Sequence, residues 1–347
     1  MAAVDLAVLA CARRRKSVRA WRAGMASAGI AACLLALALA EDGFGGFRLL
    51  AWGVFLHAVV LLAGSAAIWW PARKVIAVGS AAAAAGILLV AVDAFLVEPT
   101  RLEVSHHQLP SEKILHPIRV VVLADLQTDR IGRYEREAFQ RALAEKPDLL
   151  LLAGDYIQAG PGQREDLYGQ LNALLRQLDV PGPRPTFGRC PVFAVGGNVD
   201  AEDWSEIFRG TPVIPVSATE TFEVAGIQLT CLARRDSFNP SLEVDARDPV
   251  RFHLVLGHSP NFALGRIEAD LLLAGHTHGG QVRLPLIGPL MKLSAVPRSW
   301  AAGLTDLPGG GRLLVSRGLG MERANAPRLR FLCRPELVVI DLVPQPR

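Results

Sequence analysis

The chain has 347 residues, more than one ordinary domain holds, so two regions are expected. Hydrophobic residues make up 51% and charged residues 20%, which excludes a disordered chain and argues against a wholly soluble globule. Net charge is +4, and residues 1–100 carry all of the surplus, with 9 Lys/Arg against 5 Asp/Glu; residues 101–347 hold 28 of each, so the basic excess does not mark a nucleic-acid-binding domain.

Three apolar stretches fill the first hundred residues, at 23–40, 49–70 and 75–92, and each is long enough to cross a hydrocarbon core of roughly 30 Å at about 1.5 Å per residue. Trp69 and Trp70 fall where an interfacial aromatic belt is expected. The first flank carries Arg13, Arg14, Arg15, Lys16, Arg19 and Arg22, whereas the loops between stretches carry only Arg48, Arg73 and Lys74. The positive-inside rule then puts the N-terminus in the cytoplasm and, after three crossings, everything beyond residue 98 on the outer face of the cell membrane. His57 and Asp93 are ionisable groups in or beside these stretches. The plainer reading is preferred for both: a neutral histidine bonding across the bundle, and an aspartate within reach of the interface. The run 81–85, five alanines, reads as a close-packing helix face.

Residues 99–117 read as a linker, with His106, His107 and His116 solvated at the membrane surface. From residue 118 short apolar runs alternate with helical spacing. Runs at 120–124, 149–153, 191–195, 252–256 and 270–274 predict buried strands, and 133–146 and 165–178 predict helices. Residues 181–185 predict a surface loop, and 213–232 and 312–342 predict strand-rich segments. The whole of 118–347 therefore reads as an α/β domain, with His253 in its core. None of Cys11, Cys33, Cys190, Cys231 and Cys333 forms a closely spaced pair, which argues against a structural zinc site and for buried free thiols.

The five predicted strands run into Asp125, Gly154-Asp155, Gly197-Asn198, Gly257-His258 and Gly275-His276-Thr277-His278. Ligands of α/β sheets collect at the carboxyl ends of strands, so these side chains are expected to converge. Any one of them is weak: Gly-Asp after a strand is usually a turn, and a lone histidine is usually structural. Six in order, each at a strand end, are hard to explain that way. Two carboxylates, an amide and three histidines suit a pair of divalent metals, with an aspartate such as Asp155 bridging ions roughly 3.5–4 Å apart.

This pattern resembles the calcineurin-like metallophosphoesterase superfamily, over about two thirds of the chain, and with the apolar N-terminus it looks like the membrane-bound bacterial branch. The resemblance implies a four-layer α/β/β/α sandwich. It implies one metal held by Asp125, Gln127, Asp155 and His278 and a second held by Asp155, Asn198, His258 and His276. It also implies hydrolysis by metal-activated hydroxide without a covalent enzyme intermediate, and a membrane-anchored phosphoesterase acting on a phosphodiester or pyrophosphate; the membrane location suggests a lipid-linked or surface-presented substrate.

Two positions depart from the family pattern. Gln127 stands where the family has a histidine ligand; an amide oxygen is harder and weaker, which favours Mn²⁺ or Mg²⁺ over Zn²⁺ at the first metal, or weakens that site; of the candidates Mn²⁺, Mg²⁺, Fe²⁺ and Zn²⁺, Mn²⁺ is the expected ion. Val199 stands where the family has the histidine that protonates the leaving group, and valine transfers no proton; general acid catalysis is worth roughly 10²–10⁴-fold. Asp200, next in sequence, is the catalytic candidate left to supply it. These departures keep a second reading open, a catalytically weakened metal- or phosphate-binding membrane protein. Arg234, Arg235, Arg283, Arg317 and Arg323 are phosphate-contact candidates, none singled out.

Overall fold

The apolar runs beyond residue 118 pair into two six-stranded sheets in the computed structural model, which describes residues 2–15, 17–39, 43–178, 190–246 and 248–345. The chain divides into two compact units, Met1–Val97 with Ala324–Arg328, and Glu98–Arg323 with Leu329–Arg347.

The first unit is helical: α1 (Ala2–Arg15), α2 (Val18–Leu39), α3 (Gly43–Trp69) and α4 (Lys74–Thr100, which runs past the unit's end). Among the described residues α3 and α4 are long and apolar enough to cross a membrane, judged by length and composition. α2 follows the first predicted stretch to Leu39; Lys16 and the loop residues Glu41 and Asp42 lie outside the described residues. His57 bonds across the bundle as expected, its Nδ1 lying 2.5 Å from Oδ2 of Asp5 on α1. Trp69 is buried and packs edge-on against Trp21, so of the two tryptophans expected in an interfacial belt only Trp70 is exposed. The buried face of α4 is Ala77, Ser80 and Ala84 rather than the alanine run, of which only Ala84 is covered. Spacings of three and four, not a run of small residues, put side chains on one helix face.

The second unit contains the strands β1 (Glu103–Ser111), β2 (Ile118–Leu123), β3 (Leu149–Leu152), β4 (Val192–Val195), β5 (Val213–Val216), β6 (Glu220–Val224), β7 (Ile227–Cys231), β8 (His253–Leu256), β9 (Leu271–Ala274), β10 (Gly303–Asp306), β11 (Arg312–Val315) and β12 (Glu336–Pro344). Two further pairs of two-residue strands complete it. One sheet has the order β1-β12-β2-β3-β4-β5, the other β10-β11-β9-β8-β7-β6. In the first, β2 to β5 are mutually parallel, and so are β7, β8, β9 and β11 in the second. Helices α5 (Arg133–Ala144) and α6 (Pro161–Leu178) make the crossovers that parallel strands require.

The central strands are buried on both faces, which is why they read as unbroken apolar runs. Val121, Leu123, Leu150, Leu152 and Val192 face the helices, where Phe139, Leu143, Leu171 and Leu175 cover them. The alternate residues Val120, Val122, Leu149, Leu151 and Phe193 face the other sheet and meet Leu229, Leu254, Leu256, Leu271 and Leu273. The far side of the second sheet, with Val255, Leu272, Leu313 and Val315, is covered by Phe262 and partly buried Trp300 and Leu307.

Two sequence expectations change here. The segment 99–117 is no linker: β1 lies within it and pairs in parallel with β12 from Glu103 to Ser111. The expected fourth layer holds, among the described residues, only the short turns Arg234–Ser237, Pro260–Leu264 and Arg298–Trp300, not long helices. The residues available for that layer are interrupted by Pro240, Pro249, Pro285, Pro289 and Pro297, and proline breaks a helix interior. The loop read at 181–185 lies outside the described residues. Cys190, Cys231 and Cys333 are buried free thiols as expected, whereas Cys11 and Cys33 are exposed. His253 is buried, bonded to Thr230 and to the Glu268 carbonyl.

Candidate metal centre

The chain leaves β2, β3, β4, β8 and β9 at their carboxyl ends, and the residues that follow meet between the sheets. Two groups of potential ligands form there: Asp125, Asp155 and His278, and Asp155, His258 and His276. Within each group the ligand atoms all lie within 4.8 Å of one another, and all five residues are buried. Asp155 belongs to both. Asn198 joins the second group, its Oδ1 lying 3.0 Å from His258 Nε2 on the open side of the cluster. Gln127 is tied to Asp155 through the backbone, its N–H donating to the Asp155 carbonyl at 2.7 Å. Five of the seven sequence candidates thus form the two groups, Asn198 bonds to one of them, and Gln127 is a backbone neighbour of Asp155.

The backbone is bent to do this. Asp125, Gln127, Asp155, His276 and His278 all have positive φ, between 35° and 69°. For residues with a Cβ such geometry costs roughly 1–3 kcal/mol each and persists where the surroundings enforce it, as at functional sites. Glycine gives room where the chain closes on a carboxylate. A Cβ on Gly197 would overlap Asp155 Oδ1, and one on Gly318, at φ +66°, would lie 2.6 Å from Asp125 Oδ2.

Each ligand is held from behind. Asp125 accepts the His276 backbone N–H at 2.9 Å. Asp155 accepts the Val199 N–H at 2.9 Å. His258 turns Nδ1 to the Ala153 carbonyl at 2.8 Å, leaving Nε2 3.3 Å from Asp155 Oδ2. His276 turns Nε2 to the Leu293 carbonyl at 2.6 Å, which frees Nδ1. Backbone contacts of this kind fix the tautomer and ring plane of a metal-binding histidine.

The electrostatics favour cations. Burial, helped by the Asp155 charge, pushes the Asp125 carboxyl up to about 7 against the pull of His258. Burial also raises Asp155, but His258 outweighs this by charge and hydrogen bond and holds it below its ordinary value. Burial lowers His258, yet Asp155 and Asp125 leave it at about 9. The proton of His258 thus occupies the place between carboxylates where positive charge is wanted. Burial lowers His276 to about 4, reinforced by His258, and holds His278 well below its ordinary value, so both are neutral and able to donate lone pairs.

The leftover polar atoms test whether divalent ions fit. Gln127 Oε1 and His278 Nδ1 are buried without a hydrogen-bond partner. An orphaned buried acceptor costs about 1–3 kcal/mol, and both lie on candidate ligands of the first group. A set of carboxylate, amide oxygen and imidazole donors suits Mn²⁺, Mg²⁺, Fe²⁺ or Zn²⁺ chemistry. The residues fit the ions.

Asp200, the catalytic candidate, is buried beside Asp155. Its carboxylate accepts backbone N–H groups from Asp155, Tyr156 and Gly197, each at 2.8 Å. These three bonds fix the turn that carries Asp155, so Asp200 supports the site; burial, with the neighbouring Asp155 charge, pushes its carboxyl up to about 6. Of the arginine candidates, Arg234 donates to the Asp200 carbonyl at 3.0 Å and Arg323 to the Gln127 carbonyl at 2.9 Å; Arg317 pairs with Glu336.

Three supporting residues left no trace in the sequence reading. Phe238 packs edge-on against His276, with ring centroids 4.9 Å apart. Arg330 is fully buried and donates to the carbonyls of Arg317, Gly318, Gly320 and Cys333, bracing the loop that presses on Asp125. Glu322 accepts from the Gln127 and Gln158 amides. No spacing rule points to any of them: Phe238 and Glu322 act on residues far along the chain, and Arg330 braces an irregular loop that has no periodicity.

The sequence model of the calcineurin-like phosphoesterase family matches residues 118–280. The Escherichia coli protein named phosphodiesterase YaeI is 30% identical over 269 residues, spanning 71% of this chain and 90% of that one. The Bacillus subtilis protein named uncharacterized metallophosphoesterase YkuE is 28% identical over 264 residues, 71% of this chain and 87% of its own. The Chlamydia muridarum protein named UDP-2,3-diacylglucosamine pyrophosphatase LpxG is 22% identical over 288 residues, 67% and 85% of the two chains. The matched stretch runs from the strand that delivers Asp125 to the turn that follows His278, and the chain belongs to the calcineurin-like phosphoesterase family.

Proposed function

We propose that this protein is a membrane-anchored phosphoesterase that binds two divalent metal ions and hydrolyses a phosphodiester or pyrophosphate bond. The carrying observation is the pair of ligand groups that share Asp155. Asp125, Gln127, Asp155 and His278 would hold one ion, and Asp155, Asn198, His258 and His276 the other. Two ions so placed supply charge neutralisation for the phosphate and an acidified water. The chain's own groups do the rest: the Asp200 carboxylate fixes the Asp155 turn, and the Ala153 and Leu293 carbonyls orient His258 and His276.

The anchor is read from α3, α4 and the apolar α2, three helices that put the catalytic unit on the outer face under the positive-inside rule. That location, with a pyrophosphatase of a diacylated sugar nucleotide among the relatives, supports a lipid-linked phosphate ester as the substrate class. Val199 favours a second reading, a metal- or phosphate-binding protein with weakened catalysis, because valine stands where the family's proton donor would be.

Turnover separates the two. The detergent-solubilised full chain is expected to hydrolyse bis(p-nitrophenyl) phosphate, to stop when stripped by a chelator and to recover with Mn²⁺. Metal uptake without turnover would support the second reading and overturn the first.

A further inference from the structure

Gln127 donates both hydrogens of its side-chain amide: Nε2 lies 2.9 Å from Gln158 Oε1 and 3.1 Å from Glu322 Oε2. Gln158 and Glu322 are tied to each other, Gln158 Nε2 donating to Glu322 Oε1 at 2.7 Å. Both are anchored in turn. Gln158 Oε1 accepts the Arg323 backbone N–H at 2.7 Å, and the Glu322 backbone N–H donates to Gln281 Oε1 at 2.7 Å. Two fixed acceptor oxygens therefore face the Gln127 nitrogen.

This arrangement determines which way the amide points. Rotating it by half a turn would set Gln127 Oε1 against a carboxylate and an amide oxygen, three acceptors with no proton among them. The orientation kept leaves Oε1 buried with no hydrogen-bond partner, on a residue whose backbone N–H donates to the Asp155 carbonyl. A buried amide that satisfies both hydrogens and leaves its oxygen bare is arranged to present that oxygen to something else.

We propose that Glu322 and Gln158 form a positioning pair that locks the Gln127 amide with Oε1 toward the first metal ion, where a reversed amide would present only N–H hydrogens. The inference rests on the two-metal reading above. It explains how glutamine serves where the family carries histidine. Imidazole presents a lone pair from either ring nitrogen, whereas an amide binds metal only through its oxygen and so requires orientation. Glu322 is the stronger member, since its carboxylate has no proton to offer a reversed amide.

The test is Mn²⁺ titration of the full chain, read by paramagnetic resonance, with a double-mutant cycle between positions 127 and 322. The unmodified protein is expected to bind two ions and to show the coupled signal of a pair. Glu322→Ala should weaken one site roughly 10–100-fold, the usual effect of removing a group that orients a ligand, and leave the other unchanged. The spectrum at one equivalent should then be that of a single ion. Glu322→Leu keeps bulk without acceptor oxygens and should behave alike, which guards against misfolding of the alanine variant. Gln127→Ala should weaken the same site, and adding Glu322→Ala to it should cost nothing further.

An undiminished second loss in that double variant would mean that Glu322 acts by its own charge, and would overturn the proposal. Unchanged binding in both Glu322 variants would also overturn it while leaving the two-metal reading intact. Fewer than two ions in the unmodified protein would overturn the metal reading itself, and this inference with it.

Discussion

Val199 is the residue on which chemistry turns. Its backbone N–H holds Asp155, but its side chain offers no proton to a departing oxygen. Asp200, next in sequence, accepts three backbone N–H groups and fixes the Asp155 turn. The rate is therefore expected to fall steeply as leaving-group pKa rises across a series of aryl phosphodiesters. Val199→His should flatten that dependence and speed the poorest leaving group most, by up to roughly 10²-fold, the low end of general acid catalysis. A flat dependence in the unmodified protein would show that another acid is at work. The ligands themselves were legible in the sequence because each follows directly on a short apolar run, a local pattern. Glu322 and Arg330 were not, because a hydrogen bond between residues 127 and 322 leaves no mark on spacing or hydropathy.

At the scale of elements, strand register decides what converges. β2, β3 and β4 run parallel, as do β8 and β9, so their ligand-bearing turns emerge at the same edges. Helix α5 begins where 3.6-residue spacing predicted, and α6 begins one turn early, at Pro161, because proline is tolerated in a first turn. β1 was hidden: its sequence, with His106 and His107 half out of the sheet, lacks the apolar run of a central strand, and edge strands do not need one. The loop after β11 has no regular structure of its own and is held by Arg330. Removing a guanidinium that serves four buried carbonyls strands those acceptors, at about 1–3 kcal/mol each. Arg330→Lys keeps the charge but not the fork of donors. It is expected to cost several kcal/mol in chemical denaturation and to weaken the ion beside Asp125, through the loop containing Gly318. Unchanged stability would mean that the loop holds itself.

For the whole molecule, the charge asymmetry and the apolar helices bear on where the reaction takes place. Two described helices have the length and apolarity of spans, and α2 adds a third apolar helix that carries the basic flank. On the proposed reading, three crossings with a cytoplasmic N-terminus would leave the catalytic unit outside the cytoplasmic membrane. Protease added to spheroplasts is expected to cut that unit, and inverted vesicles should protect it. The reverse pattern would mean an even number of crossings. The layers were legible in part: unbroken apolar runs gave the central strands and the helices between them, while the stacking of two sheets came only with the family resemblance. Neither gave the turn-built cover of the second sheet, where proline and glycine interrupt what would otherwise be helix.

The account centres on one carboxylate serving two ions, and elemental analysis of Asp155→Ala tests it most directly. Asp155 is buried and belongs to both ligand groups, so its loss leaves each with too few anionic donors to offset a divalent charge. The unmodified protein is expected to carry about two ions per chain, and the Asp155→Ala protein, still folded by circular dichroism, to carry none and to have lost all phosphodiesterase activity. Retention of both ions in that variant would contradict the shared-ligand centre.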